Sequence, residues 1–361
     1  MSACVSLVGH NPSAAESARA LCAVLVEEAG PQTIYCCARV IWRQKHVRTD
    51  ADLTEILLPP LLRVAPEHKG TIREIDAALS TLMRAGKQKL VIDFVTKLLS
   101  APDCALALEE FQMFSNALEK SEHLPATLVA WLRSAAPALC SGAVSLHGGD
   151  DLAGQIVSLP SEAVAMPANE QAFVCRKAVA YFFFQPVTAA SILVSFLRSC
   201  DAEAREEITG LLFMPLLQNY GGGPRDYLEG LDDKDPAHAA VVEALAENRR
   251  YMEGLTKGDD IRELAPSEHQ RLVAHMRQRD EATQTFKAAR EQSVLRHFVK
   301  NSTILYGRSS LNYFGGAGGR RAVETELQPH SVSMELPRML VVDPLGLEYL
   351  LWRFRNEELE A

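Results

Sequence analysis

From Gly70 to Asp103 the apolar residues return every three or four positions, first as Ile72, Ile75, Leu79, Leu82 and Met83, then as Leu90, Val91, Phe94, Val95, Leu98 and Leu99. That spacing puts each set on one face of an α-helix. Gly86 lies between the runs, and glycine accepts the left-handed backbone that ends helices. The segment therefore predicts an αα-hairpin, with Thr71 and Glu74 as a T-x-x-E capping box and Pro102 as its stop.

The same pattern continues downstream. Asp103 predicts the cap of a helix carrying Leu106, Leu108, Phe111, Phe114 and Leu118, and Pro125 opens another through Leu128, Trp131 and Leu132. Ser141 to Pro167 reads as a looser stretch. Helices resume at Asn169, at Pro186 and at Asp201, the last with Ile208, Leu211 and Leu212. Asp235-Pro236 starts one with Val241, Val242, Leu245 and Met252, and Ser267 with Gln270 caps the longest, which runs towards Lys300.

Successive helical pairs of this kind predict a mainly α fold of stacked helical hairpins, either an α-solenoid of HEAT-like type or an irregular helical bundle. No repeated signature runs through the chain: the tetratricopeptide and ankyrin patterns are both missing. The expected organisation is a helical domain over 1–150, a second over 151–300 that ends in a long basic helix, and a small C-terminal element over 301–361.

The texture changes in that last element. Thr, Val, Ser and Tyr become frequent after Asn301, and Val332, Met334 and Leu336 alternate with polar residues, which predicts a β-hairpin. Asp343-Pro344 then reads as an N-cap with proline in the first turn of a final helix, whose apolar stripe is Leu347, Leu350, Leu351 and Phe354.

Within the predicted hairpin stands "YFGGAGGRR", Tyr313 to Arg321. Gly315, Gly316, Gly318 and Gly319 suit a hairpin connection, because glycine reaches positive φ without a steric cost. They also raise the question of an anion cradle with Arg308, Arg320 and Arg321. The loop lacks the lysine and hydroxyl of a nucleotide-binding P-loop and the following helix of a dinucleotide fingerprint. A second glycine run, "NYGGGPRDYL" from Asn219, also lacks the lysine and reads as a turn into a short helix.

Charge adds one further possibility. The net charge of -9 argues against a chain that coats nucleic acid with its whole surface, yet its distribution is uneven. Asp201 to Glu263 holds fifteen acidic against seven basic residues, and Glu268 to Arg321 holds ten basic against four acidic. A long basic helix followed by an arginine-bearing hairpin is an arrangement that meets a phosphate backbone, with Arg290, Arg296 and Lys300 as helix contacts and Arg308, Arg320 and Arg321 in the hairpin. The same charges also suit a solvated face paired with the acidic segment upstream.

Catalytic signatures are missing. There is no H-E-x-x-H, no G-x-S-x-G and no C-x-x-C, and the eight cysteines read as free thiols. His147 near Asp150 and Asp151, His330 in the β-rich region, and the aromatic run Tyr181 to Phe184 are expected to be structural. The sequence thus assigns no catalytic residue, cofactor or metal. The longest apolar run, Ala178 to Leu197, is broken by Gln185-Pro186, and Glu16 interrupts any leader-like start, so a soluble cytoplasmic protein is expected. The leading functional expectation is a non-catalytic scaffold or adaptor that binds a partner protein. Nucleic-acid binding through 267–300 and 308–321 comes second, and an enzyme for an anionic ligand at Arg320 and Arg321 third.

Overall fold

The structure is a computed structural model that describes residues 2–10, 12–27, 30–101, 106–147, 154–259, 267–292, 309–316, 319–326 and 335–359. The chain is mainly helical and forms two compact units, one of residues 1–248 with 334–361 and one of residues 249–333.

The first unit opens with α1 (Ser2–His10), α2 (Ala15–Glu27), α3 (Pro31–Arg43), α4 (Lys45–Thr49) and α5 (Ala51–Leu57). Next come α6 (Lys69–Arg84) and α7 (Gln88–Leu99), the predicted hairpin. Gly86 has φ +83°, the Gly86 amide donates to Met83 O and the Lys87 amide to Leu82 O, each at 3.1 Å. These two bonds make a Schellman motif that uses up carbonyls at the end of α6.

The capping box expected at its start is overturned. α6 begins at Lys69, so Thr71 lies inside the first turn and is buried, while Glu74 reaches across to α3. Its carboxylate accepts from Trp42 Nε1 and, at 3.4 Å, from Tyr35 OH. An i,i+3 pair marks a cap only when the helix starts between its members, and here packing on α3 claims the carboxylate.

The helix α8 (Gln112–Glu119) is capped from a distance as well. Asp103 lies outside the described residues. The buried Asp76 of α6 accepts from the Met113 amide at 2.9 Å and the Phe114 amide at 2.8 Å, both in the first turn of α8. Two orphan donors of that helix are thereby satisfied, the Phe114 amide inside the core and the Met113 amide at its edge. Burial pushes the Asp76 carboxyl above its ordinary value, although both amide bonds pull the other way.

The next pair is α9 (Leu124–Ser134), with Pro125 in its first turn, and α10 (Pro137–Leu146). The looser stretch expected from Ser141 is therefore shorter than its pattern suggested, because α10 runs on to Leu146. After the short α11 (Ser161–Val164) come α12 (Ala168–Tyr181) and α13 (Pro186–Leu197). Every residue of α13 is buried, and its three hydroxyls on one stripe bind the extended segment before α11. The Gln155 amide donates to Thr188 Oγ1 at 2.8 Å, the Val157 amide to Ser191 Oγ at 2.9 Å and the Leu159 amide to Ser195 Oγ at 3.2 Å. Two extended residues cover ~6.7 Å and one helical turn ~5.4 Å, close enough for alternate amides to meet successive turns. At the head of this segment Gly154 has φ +96°, and a Cβ there would lie 2.4 Å from Thr188 Oγ1.

Asp201 caps α14 (Ala202–Leu211) by accepting from the Ala204 amide at 3.0 Å. A kinked turn over Leu212–Leu217, with Pro215 inside it, leads to α15 (Gly223–Glu229). The helix expected at Asp235-Pro236 starts two residues later as α16 (His238–Asp259). Asp235 instead binds the Ala237 amide at 2.9 Å and Arg198 Nη2 at 2.9 Å.

The second unit holds the later part of α16, α17 (Glu268–Gln292) and two paired strands. Ser267 and Gln270 form a reciprocal capping box, with Gln270 N to Ser267 Oγ at 3.2 Å and Ser267 N to Gln270 Oε1 at 2.9 Å. The strands β1 (Ser309–Gly316) and β2 (Gly319–Glu326) run antiparallel from Ser309 opposite Glu326 to Gly316 opposite Gly319. Back in the first unit, α18 (Arg338–Val342) and α19 (Pro344–Asn356) end the fold.

The trans cap on α8 carries a measurable cost. Asp76→Ala leaves the buried Phe114 amide and the less buried Met113 amide without this acceptor and lowers the unfolding free energy in urea by ~2 kcal/mol. Asp76→Asn, which keeps one acceptor oxygen, costs less, and equal losses in the two variants would argue against this role.

Candidate interaction surface

The helix α19 is built as the sequence pattern predicts: Asp343 Oδ1 accepts from the Gly346 amide at 2.9 Å, and Pro344 occupies the first turn. Leu347, Leu351 and Phe354 are buried, and the helix packs against α12. What the sequence reading missed is that α19 carries a second apolar stripe. Leu345, Tyr349 and Trp352 recur at spacings of four and three, and they are 76%, 63% and 58% exposed. The Tyr349 and Trp352 rings stack 6.2 Å apart at 24°. Leu340, Val341 and Val342 of α18 are exposed just upstream. These side chains leave apolar surface of α18 and α19 open to solvent. The signal was present in "PLGLEYLLWRF", where apolar residues occupy two helical faces at once.

Polar contacts along the inner side hold this stripe in place. Lys177 of α12 is fully buried, and its Nζ donates to the carbonyls of Arg355 and Glu357, both at 2.7 Å, with the Phe173 ring centroid 5.0 Å away. Burial pushes this ammonium below its ordinary value. Arg355 returns the contact, donating to the Ala180 carbonyl from Nε at 3.2 Å and from Nη2 at 3.0 Å while lying over the Tyr181 ring. Each helix thus supplies the cation that satisfies the other's C-terminal carbonyls. Arg176 Nε binds the Glu357 carboxylate at 2.8 Å, and its Nη1 pairs with Glu207. Burial alone would lower the Arg176 guanidinium, but these carboxylates outweigh it and raise it.

The approach to α18 is anchored too. Asn219 Oδ1 accepts from the Met339 amide at 2.8 Å, and Glu335 Oε1 accepts from the Gly221 and Gly222 amides at 2.6 and 2.9 Å. The glycine run at 221–223 is therefore a turn into α15 whose amides face this chain's own carboxylate. Beside Trp352, the residues Arg176, Glu207, Arg353, Asn356 and Glu357 line an open hollow of about 400 Å³.

The residues singled out in the sequence lie elsewhere. Gly315 and Gly316 end β1, while Gly319, Arg320 and Arg321 begin β2, with Gly315 opposite Arg320 and Phe314 opposite Arg321. The backbone of Arg290 belongs to α17. Gly318, Arg296, Lys300, Arg308, His330, Asp150 and Asp151 lie outside the described residues. His147 is buried, with Nδ1 2.9 Å from the Ala143 carbonyl and its ring edge-on to Phe182; burial lowers its pKa. In the aromatic run Phe182 and Phe183 are buried, whereas Phe184 is exposed. None of the seven described cysteines forms a disulfide, and burial pushes the Cys37 thiol up to about 12. Among the described residues no cluster of His, Cys, Asp and Glu suits a metal ion, and no helix is long and apolar enough to cross a membrane.

No protein family, curated protein or solved structure matches the chain.

The clamp between α12 and α19 is open to direct measurement. Arg176→Met removes the bonds to Glu357 and Glu207, and it weakens docking of α19 by ~2 kcal/mol, the scale of hydrogen bonds to charged groups. Hydrogen exchange of the amides from Leu347 to Asn356 accelerates in this variant, while exchange in α6 and α7 is unchanged. Unchanged exchange in α19 would show that the apolar face alone holds the helix.

Proposed function

We propose that this protein is a non-catalytic helical scaffold or adaptor, in which stacked helical hairpins form the frame and the outer face of α19 docks a partner protein. The observation that carries the reading is the stacked Tyr349–Trp352 pair. It stands in solvent on a helix whose other side is fastened by Arg176, Lys177 and Arg355. Aromatic side chains bring large contact area with little conformational freedom to lose, and they dominate binding hot spots. A docking helix also works best when it is ordered before its partner arrives.

Affinity capture with the full chain tests this reading. The wild type retains a specific partner protein, and the Tyr349→Ala/Trp352→Ala variant loses it with its helical circular dichroism unchanged. Equal retention by the folded variant would move the docking surface elsewhere.

A second reading is favoured by α17, whose described side chains are exposed apart from the half-buried Val273. Arg271, Arg277, Arg279 and Lys287 stand among these exposed positions. A helix of this kind suits nucleic-acid binding through phosphate contacts, with Arg290, Arg296, Lys300, Arg308, Arg320 and Arg321 continuing the basic segment. On that reading, labelled single- or double-stranded DNA or RNA binds with an affinity that falls steeply with salt, and Arg320→Glu/Arg321→Glu reduces the log–log slope. Absence of binding at low salt removes it.

A further inference from the structure

We infer that the partner on the outer face of α19 is a second copy of this chain, with the two α19 helices side by side and parallel. The inference rests on the reading of that face as a docking surface. Leu345, Tyr349, Trp352 and Asn356 follow one another at spacings of four, three and four, the a and d positions of a heptad: Leu345 and Trp352 at d, Tyr349 and Asn356 at a. All four are exposed. Leu347, Leu351 and Phe354, the residues buried in the chain's own core, fall at f and c, the positions remote from an a/d seam. The helix thus spends one side on its own core and keeps a complete seam on the other.

Two charges make this seam complementary to itself. Glu348 lies at g and Arg353 at e, both exposed and flanking the stacked rings. In a parallel pair a g residue meets the e residue five positions later on the facing helix, and Glu348 and Arg353 are five positions apart. A two-fold axis produces this opposite-charge contact twice. Arg353 is available for the role because Arg176 already binds the carboxylates of Glu207 and Glu357 near it. Asn356 adds register: a single asparagine at an a position favours alignment with its own copy at a cost in stability. An unrelated partner would have to match the apolar seam, both charges and the amide, whereas a second copy supplies all of them.

Sedimentation velocity and light scattering on the full chain over a range of concentrations test the inference. The wild type shifts from monomer to twice the monomer mass as concentration rises. Glu348→Arg and Arg353→Glu, each alone, place like charges at both contacts and raise the dissociation constant about tenfold or more. Mixing these two variants in equal amounts restores dimers, because every contact is then Arg–Glu, and one chain carrying both changes also dimerises. A wild type that stays monomeric overturns the inference, as does a dimer insensitive to either charge reversal or to mixing. If the wild type is monomeric yet still captures a different protein that the Tyr349→Ala/Trp352→Ala variant loses, self-pairing falls and the docking surface stands. If no partner is captured either, both fall.

Discussion

The exchange of cations between α12 and α19 is the contact on which the exposed face depends. An ammonium withdrawn from water is costly unless strong acceptors replace its hydration. The last carbonyls of a helix are such acceptors, since they lack partners within the helix and stand at the negative end of its dipole. Lys177 meets two of them at the end of α19, and Arg355 meets Ala180 O at the end of α12. Neither helix end needs a local stop signal, because each is completed by the other. The two helices are far apart in sequence, so their docking brings the chain's last helix back onto its middle.

The same solution recurs through the first unit. Asp76 completes the start of α8 from within α6, and Thr188, Ser191 and Ser195 complete the extended segment at 155–159 from within α13. In each case a buried polar side chain satisfies backbone groups of another element. Such bonds contribute modest net stability when made and are expensive when broken, so they select one arrangement of neighbours from the many that apolar contact alone would tolerate.

Against that frame α19 is a helix with two apolar sides and one set of tethers. The tethers decide which side is core. Leu347, Leu351 and Phe354 turn inward because Arg355 and the Glu357 segment are held on α12, and this leaves Leu345, Tyr349 and Trp352 outward. The stacked Tyr349 and Trp352 rings are thereby presented to solvent on a tethered helix.

Local patterns in the sequence determined the helical class and many element ends. Gly86, Pro125, Asp201, the Ser267–Gln270 box and Asp343-Pro344 act where their spacing places them, because a cap or turn closes within one helical turn and needs no distant partner. The buried stripe of α19 was legible for the same reason. Thr71 and Glu74 misled because their spacing also occurs inside a helix, where only the neighbouring α3 reveals what the carboxylate binds. Asp76, Lys177 and Arg355 carried no local signal, since their acceptors and donors lie tens to nearly two hundred residues away. Both apolar stripes of α19 are written in its sequence, but periodicity is symmetric between two such faces. Only tertiary structure, by choosing which carbonyls and carboxylates the cations of α12 and α19 reach, decided which stripe became core and which remained surface.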